Sequence, residues 1–151
     1  MLPVFAAYLK EIESIHTEID KVLASLPQEA LDWVPGLEMN SIAVLVAHTA
    51  GSERFLIGDI IGGLDSQRDR VAEFAVRGKD GAALSALLAQ ALAATRTTLE
   101  KLTVAELESI EPRTKQGRSF SVAAAIDHVI AHDAQHLGHI ELTRQLWARR
   151  A

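Results

Sequence analysis

Seven apolar residues near the start of the chain, Phe5, Tyr8, Ile12, Ile15, Ile19, Val22 and Leu26, follow one another at intervals of 3, 4, 3, 4, 3 and 4. That rhythm gathers them on one side of an α-helix, while Lys10, Glu11, Glu13, Glu18, Asp20 and Lys21 fill the other sides. The spacing predicts a helix over 3–26, ended by Pro27. One apolar stripe cannot be stable by itself; it needs other stripes to cover it. The sequence supplies three more. Asn40 or Ser41 can cap a second helix running to about Ile61 and stopping at Gly62-Gly63. Asp80 can cap a third, whose apolar face is Leu84, Leu87, Leu88, Ala91, Leu92, Thr95, Leu99 and Leu102. A last helix starts near Ser121 and runs to the basic pair Arg149-Arg150, which suits the negative end of a helix dipole. Aromatic residues, which a sheet would favour, are only 5% of the chain. The expected fold class is therefore all-α: an up-down four-helix bundle, with 1–151 as a single domain.

Short extra helical pieces are expected in the connections. Ser66 with Asp69 forms a capping box before a piece ending at Gly78, and Thr103 with Glu106 forms another. Residues 27–39 read as a connection in which Trp33 provides packing. Pro112 and Gly117 break regularity before the last helix.

The chain has no Cys, which removes disulfides, thiolate metal sites and a cysteine nucleophile together. Its 15 basic and 20 acidic residues give a formal charge of −5, which argues against nucleic acid as a partner. The first twenty residues carry no basic n-region and no small-residue cleavage site, and the apolar run 42–47 is far too short for a membrane span. A cytoplasmic location is expected.

Chemistry concentrates in the histidines. Of six, four (His128, His132, His136 and His139) fall in the last helix. A spacing of four residues stacks two imidazoles one turn apart on one face, where they can share a metal. His128/His132 and His132/His136 both qualify. His128 and His136 lie about 12 Å apart along the axis, so all three cannot ligate one ion. At about 100° per residue, His136 is about 40° from the apolar stripe begun by Val122, His132 about 80°, His139 about 100° and His128 about 120°. His132 and His136 thus face nearest the interior. Two ligands are too few, and the third must come from His48 or His16. His48 lies off its helix's apolar stripe on a row with Ser41, Ser52 and Asp59, which reads as solvated. His16 flanks the first seam. Spacing does not choose between them. The run His132-Asp133-Ala134-Gln135-His136 also has the spacing of the H-E-x-x-H protease motif, with a shorter Asp at the acidic position and nothing else in its support.

Three blocks resemble the DinB-like family of small bacterial metal-binding bundles: Leu31-Asp32-Trp33-Val34-Pro35, the segment 39–55 around His48, and the segment 120–140 with its H-x-x-x-H pair before Gly138. The resemblance implies that the second and last helices bring His48, His132 and His136 to one divalent metal, Zn, Ni, Fe or Mn. His139, where the family usually has Gln, is expected at the rim of the site, and Ser52 with it. Members similar to this chain are linked to transfer or isomerisation chemistry with low-molecular-weight thiols. The resemblance thus implies a metal-dependent thiol S-transferase acting on a small electrophile, with a metal-dependent hydrolase or a non-catalytic stress-response bundle as the alternatives, and a homodimer. Without Cys, any thiol must be a small-molecule cosubstrate. Spacing aims neither Glu53 nor Asp133 at the site as a general base. Asp127, Asp133 and Glu141 are possible acceptors for imidazole N–H groups, or plain surface charges.

Overall fold

The computed structural model describes residues 1–109 and 121–150; Pro112 and Gly117 lie outside the described residues. The described residues form helices and no strand: α1 Pro3–Ala24, α2 Gln28–Asp32, α3 Ile42–Glu53, α4 Arg70–Phe74, α5 Gly81–Leu99, a 3-10 turn at Val104–Glu108, and α6 Val122–Ala148. α3 continues without a break into a π-helical segment, Arg54–Ile61, that ends at Gly62. The long helices α1, α3, α5 and α6 make a four-helix bundle. Each of α1 and α3 packs on both α5 and α6.

The caps are where the chemistry of the sequence puts them. Ser41, Asp80 and Ser121 each accept a backbone N–H from three residues on, at 3.3, 2.8 and 3.1 Å. The Thr103–Glu106 box forms as well. The box expected at Ser66 does not. Asp69 caps α4 itself, accepting from the Ala72 N–H, because Ser66 is taken by Asp59 of the π segment, which accepts from both its N–H and its hydroxyl. Residues 27–39 hold the short α2, and Trp33 meets Trp147 edge-on with ring centroids 5.7 Å apart. The first crossover is thereby pinned to the far end of α6.

The core is two clusters stacked along the bundle. One gathers the end of α1 (Ile19, Leu23), the start of α3 (Ile42, Leu45, Val46), the start of α5 (Leu84, Leu88) and Ile140 of α6. The other gathers the start of α1 (Phe5, Ile12), Ile57 of the π segment, Leu99 of α5 and the start of α6 (Val122, Ile126, Val129). So α1 and α6 run one way, and α3 and α5 the other: the four-helix bundle stands, but its order is up-down-down-up rather than simple up-down alternation, because the long connection between α3 and α5 returns the chain to the end where α3 began. The connection after the π segment climbs back along the bundle, where the Gly78 N–H and the Lys79 carbonyl bond Asp32 and Gln28 of α2. α4 lies within that climb and packs on α3.

The most buried row of α1 is Phe5, Leu9, Ile12, His16, Ile19 and Leu23 rather than the seam read from the sequence; Tyr8, Ile15 and Leu26 lie at its edge. His16 therefore belongs to the core instead of flanking it.

Candidate metal centre

His48, His132 and His136 converge. The Nε2 of His132 lies 3.2 Å from that of His48 and 3.1 Å from that of His136. His48 comes from α3 and the other two from consecutive turns of α6. The Nδ1 of His48 lies 3.0 Å from Glu73 Oε2, and the Nδ1 of His132 lies 3.2 Å from Asp133 Oδ1. An ionised carboxylate can only accept, so the Nδ1 of His48 carries its ring's proton, and so does that of His132 when Asp133 is ionised. Both Nε2 atoms then turn bare lone pairs toward one point. The two lone pairs, held 3.2 Å apart, repel one another unless a cation stands between them, and His136 Nε2 faces the same point 3.1 Å from that of His132. Nitrogens about 2.0–2.1 Å from a shared tetrahedral ion would be spaced much like this. Burial and the neighbouring charges of His132, His48 and His139 push His136 down to about 4, so it is neutral and free to ligate at ordinary pH. His132 is lowered too, by burial and then by the Arg68 charge, against a smaller opposing effect of Glu73.

The row read as solvated on α3 is not solvated. Ser41 and Ser52 are buried and the His48 side chain is only 12% exposed. Periodicity misleads here because α4, delivered by the climbing connection, covers the outer face of α3. A helix walled on every side loses its amphipathic stripe. Glu73 of α4 is the supporting residue that sequence reasoning missed. It accepts from His48 and also from Arg68, at 2.6 and 2.9 Å. Burial would raise the Glu73 carboxyl; the bonds from Arg68 and His48 more than offset this and hold it below its usual range. Gly51 makes room for it, since a Cβ there would sit 2.6 Å from Glu73 Cδ. His139 is exposed, with its Nδ1 3.4 Å from that of His136, so it stands at the rim. Ser52 is buried one turn below His48. Asp127 and Glu141 are exposed. Behind Glu73 lies a cleft of about 260 Å³ lined by Arg54, Ser66, Arg68, Lys79 and Gln90, among others.

Asp133 is no surface charge. It is fully buried, and so are Glu53 and Thr95, with His16 nearly so. Glu53 Oε2 approaches His16 Nε2 to 2.9 Å, Asp133 Oδ2 stands 3.9 Å from the same nitrogen, and Glu53 Oε1 accepts from the Thr95 hydroxyl at 2.6 Å. These four residues, one from each long helix, form a polar layer between the two apolar clusters. A common spacing carried the signal: each stands eleven positions after a fully buried apolar residue, Phe5, Ile42, Leu84 or Val122. Eleven residues at about 100° bring a side chain back to within about 20° of its starting direction.

Burial, and then the charge of Glu53, raises the Asp133 carboxyl well above its usual value. Burial alone would lower His16, but the close approach and charge of Glu53 and the charge of Asp133 raise it on balance. In chelator-treated protein both groups hold protons that the unfolded chain releases at lower pH, beginning near 3.8 for the Asp and 6.5 for the His. Stability therefore falls as pH rises through their raised values. His132 and His136 act oppositely, but only below about 6.5. Above about pH 6.5 we expect the metal-free melting temperature to fall as pH rises, followed by calorimetry across the alkaline range; a melting temperature that rises with pH there would contradict this charge assignment.

The sequence profile of the DinB superfamily matches residues 11–140. The chain belongs to the DinB superfamily. No curated protein matches it by sequence. Among solved structures, this DinB chain is similar to a conserved protein from Enterococcus faecalis (18% identity, TM-score 0.78, covering 97% of this chain and 98% of that one). It is also similar to YfiT from Bacillus subtilis, described as a probable metal-dependent hydrolase with an unusual four-helix bundle topology (14% identity, TM-score 0.76, 96% and 89% covered). A third is a mycothiol-dependent maleylpyruvate isomerase (15% identity, TM-score 0.64), where the match covers 90% of this DinB chain but only 60% of the other. At such identities the shared property is the fold.

Proposed function

We propose that this DinB chain is a divalent-metal-dependent enzyme that transfers a low-molecular-weight thiol to a small electrophile, with His48, His132 and His136 as the metal ligands. The observation that carries the reading is that His132 Nε2 lies 3.2 and 3.1 Å from the Nε2 atoms of His48 and His136, with one ligand nitrogen of each of the three within 4.8 Å of the others and two of the rings held by carboxylates on their far nitrogens. A divalent ion on three neutral imidazoles keeps open positions and stays cationic, so it lowers the pKa of a thiol or water that binds there. Three imidazoles suit Zn, Ni or Fe, and Mn less well.

The chain's own residues do the rest. Glu73 and Asp133 hold two imidazoles in the ligating tautomer. Arg68 fixes Glu73 from the other side. Arg54 and Lys79 line the adjoining cleft and can orient the anionic groups that low-molecular-weight thiols carry. A hydrolase would need a general base beside its water. Glu73 is already shared between His48 and Arg68, and Glu53 and Asp133 face the core, so thiol transfer is favoured over hydrolysis. The mycothiol-dependent neighbour lends the same direction to the choice of cosubstrate.

The test is to load the full chain with each of Zn, Ni, Fe and Mn and follow thiol loss with mycothiol, bacillithiol or glutathione and a panel of small electrophiles. Metal-dependent consumption that His136→Ala abolishes supports the reading. Metal binding without turnover of any thiol would make the chain a non-catalytic bundle. Gly51→Ala probes the support: its methyl group displaces Glu73 from His48, and metal affinity should fall about 10- to 100-fold in a calorimetric titration. Unchanged affinity would remove Glu73 from the site.

A further inference from the structure

We propose that His16, Glu53 and Asp133 form a second, interior cation site, separate from the histidine triad, that takes one divalent metal of the Mn2+ type. Among the described residues, the buried side-chain atoms without a hydrogen-bond partner are His16 Nδ1, His16 Nε2, Glu53 Oε2 and Asp133 Oδ2, and all four belong to this one group. Buried polar atoms are rarely left so, and each calls for an explanation. Three of them face each other. Nε2 and Glu53 Oε2 meet at 2.9 Å, within ion-pair reach but without hydrogen-bond alignment, Asp133 Oδ2 stands 3.9 Å from Nε2, and one donor atom from each residue lies within 4.8 Å of the other two. Ligands about 2.1 Å from one ion and at right angles around it would be about 3 Å apart, as the first pair is.

Charge balance points the same way. A dication with two carboxylates and a neutral imidazole is a neutral unit, which is what an interior without water tolerates. The donor set also separates this site from the triad. Carboxylate oxygens favour Mn2+, while three imidazoles favour Zn2+ or Ni2+. Thr95, bonded to Glu53 Oε1, leaves Oε2 as the ligating oxygen. Asp133 joins the two centres, with Oδ1 on His132 and Oδ2 toward His16, so the interior ion would fix the carboxylate that orients an outer ligand.

Because the group is closed to solvent, loading has to accompany folding. The full chain is unfolded in guanidinium with chelator, refolded in excess Mn2+, passed through gel filtration and analysed for metal. The double variant His48→Ala/His136→Ala, in which the outer site is dismantled, should retain one Mn2+ per chain, and adding Glu53→Gln should reduce this at least tenfold. Since that double variant leaves the core untouched, folded protein holding no Mn2+ overturns the proposal, as does retention unaffected by Glu53→Gln. Loss of metal from the outer site alone would show in wild-type chain against the double variant, so the two sites are read separately.

Discussion

His136→Ala should lose one equivalent of metal per chain and keep its fold. His136 is the ligand to truncate because it is half-exposed and neither of its nitrogens is held by a buried carboxylate. Its removal leaves two imidazoles, which is too few for a tight site, and leaves no buried charge behind. His132→Ala would be less clean, since it also strips a partner from buried Asp133. A ligand that binds only the folded state stabilises it by about 4 kcal/mol when present at about a thousand times its dissociation constant. For a chain of this size that is roughly 8–16 °C in melting temperature. The rise that excess Zn2+ or Ni2+ gives the wild type should therefore shrink by about that much in the variant. If His136→Ala retains its metal and its thermal shift, the three imidazoles do not share an ion.

The second large effect is on stability. Glu53→Ala removes a fully buried carboxylate that faces His16 and accepts from Thr95. Breaking one partner out of a buried ionic group typically costs about 3–5 kcal/mol, because the groups left behind cannot find water. Against a total of about 5–15 kcal/mol for a domain, that is a large fraction. We expect a fall of about 6–20 °C in the metal-free melting temperature, with urea unfolding shifted in step. Glu53→Gln, which keeps an acceptor for Thr95, should fall less. Replacing His16, Glu53 and Asp133 together by leucine should restore most of the loss, since an apolar layer of similar volume strands nothing. If the triple variant were the least stable of the set, the layer would be a net source of stability rather than a cost.

The legible and illegible parts of this chain divide on physical grounds. Local signals read well. Ser41, Asp80 and Ser121 cap helices because a short side-chain oxygen has one good use next to a free N–H, and the i, i+4 pair His132/His136 is set by helix geometry alone. His48 was hidden, because its apparent solvent face is covered by α4, a five-residue helix in a connection; only the family resemblance selected it. Glu73 was hidden for the same reason, lying 25 residues from its partner. Ser66 was misassigned because Asp59, distant by seven residues, outcompetes the local cap. His16, read as flanking the seam, and Asp133, whose alternative reading was a surface charge, are hidden for another reason, and the burial of Glu53 goes unread with them. Each is polar, and a polar residue on a helix is taken for surface unless its angular position is checked against the buried row. Each does lie on that row.

The equal spacing of the layer on all four helices has a mechanical meaning. Leucine, isoleucine and valine pack almost as well after one helix slides a turn past another, so apolar contacts choose an axial alignment only weakly. With His16, Glu53, Thr95 and Asp133 at one height, such a slip would press a charge against methyl groups. The layer works as a detent, catching the four rods at a single offset and, with them, the histidines that must arrive opposite each other at the rim.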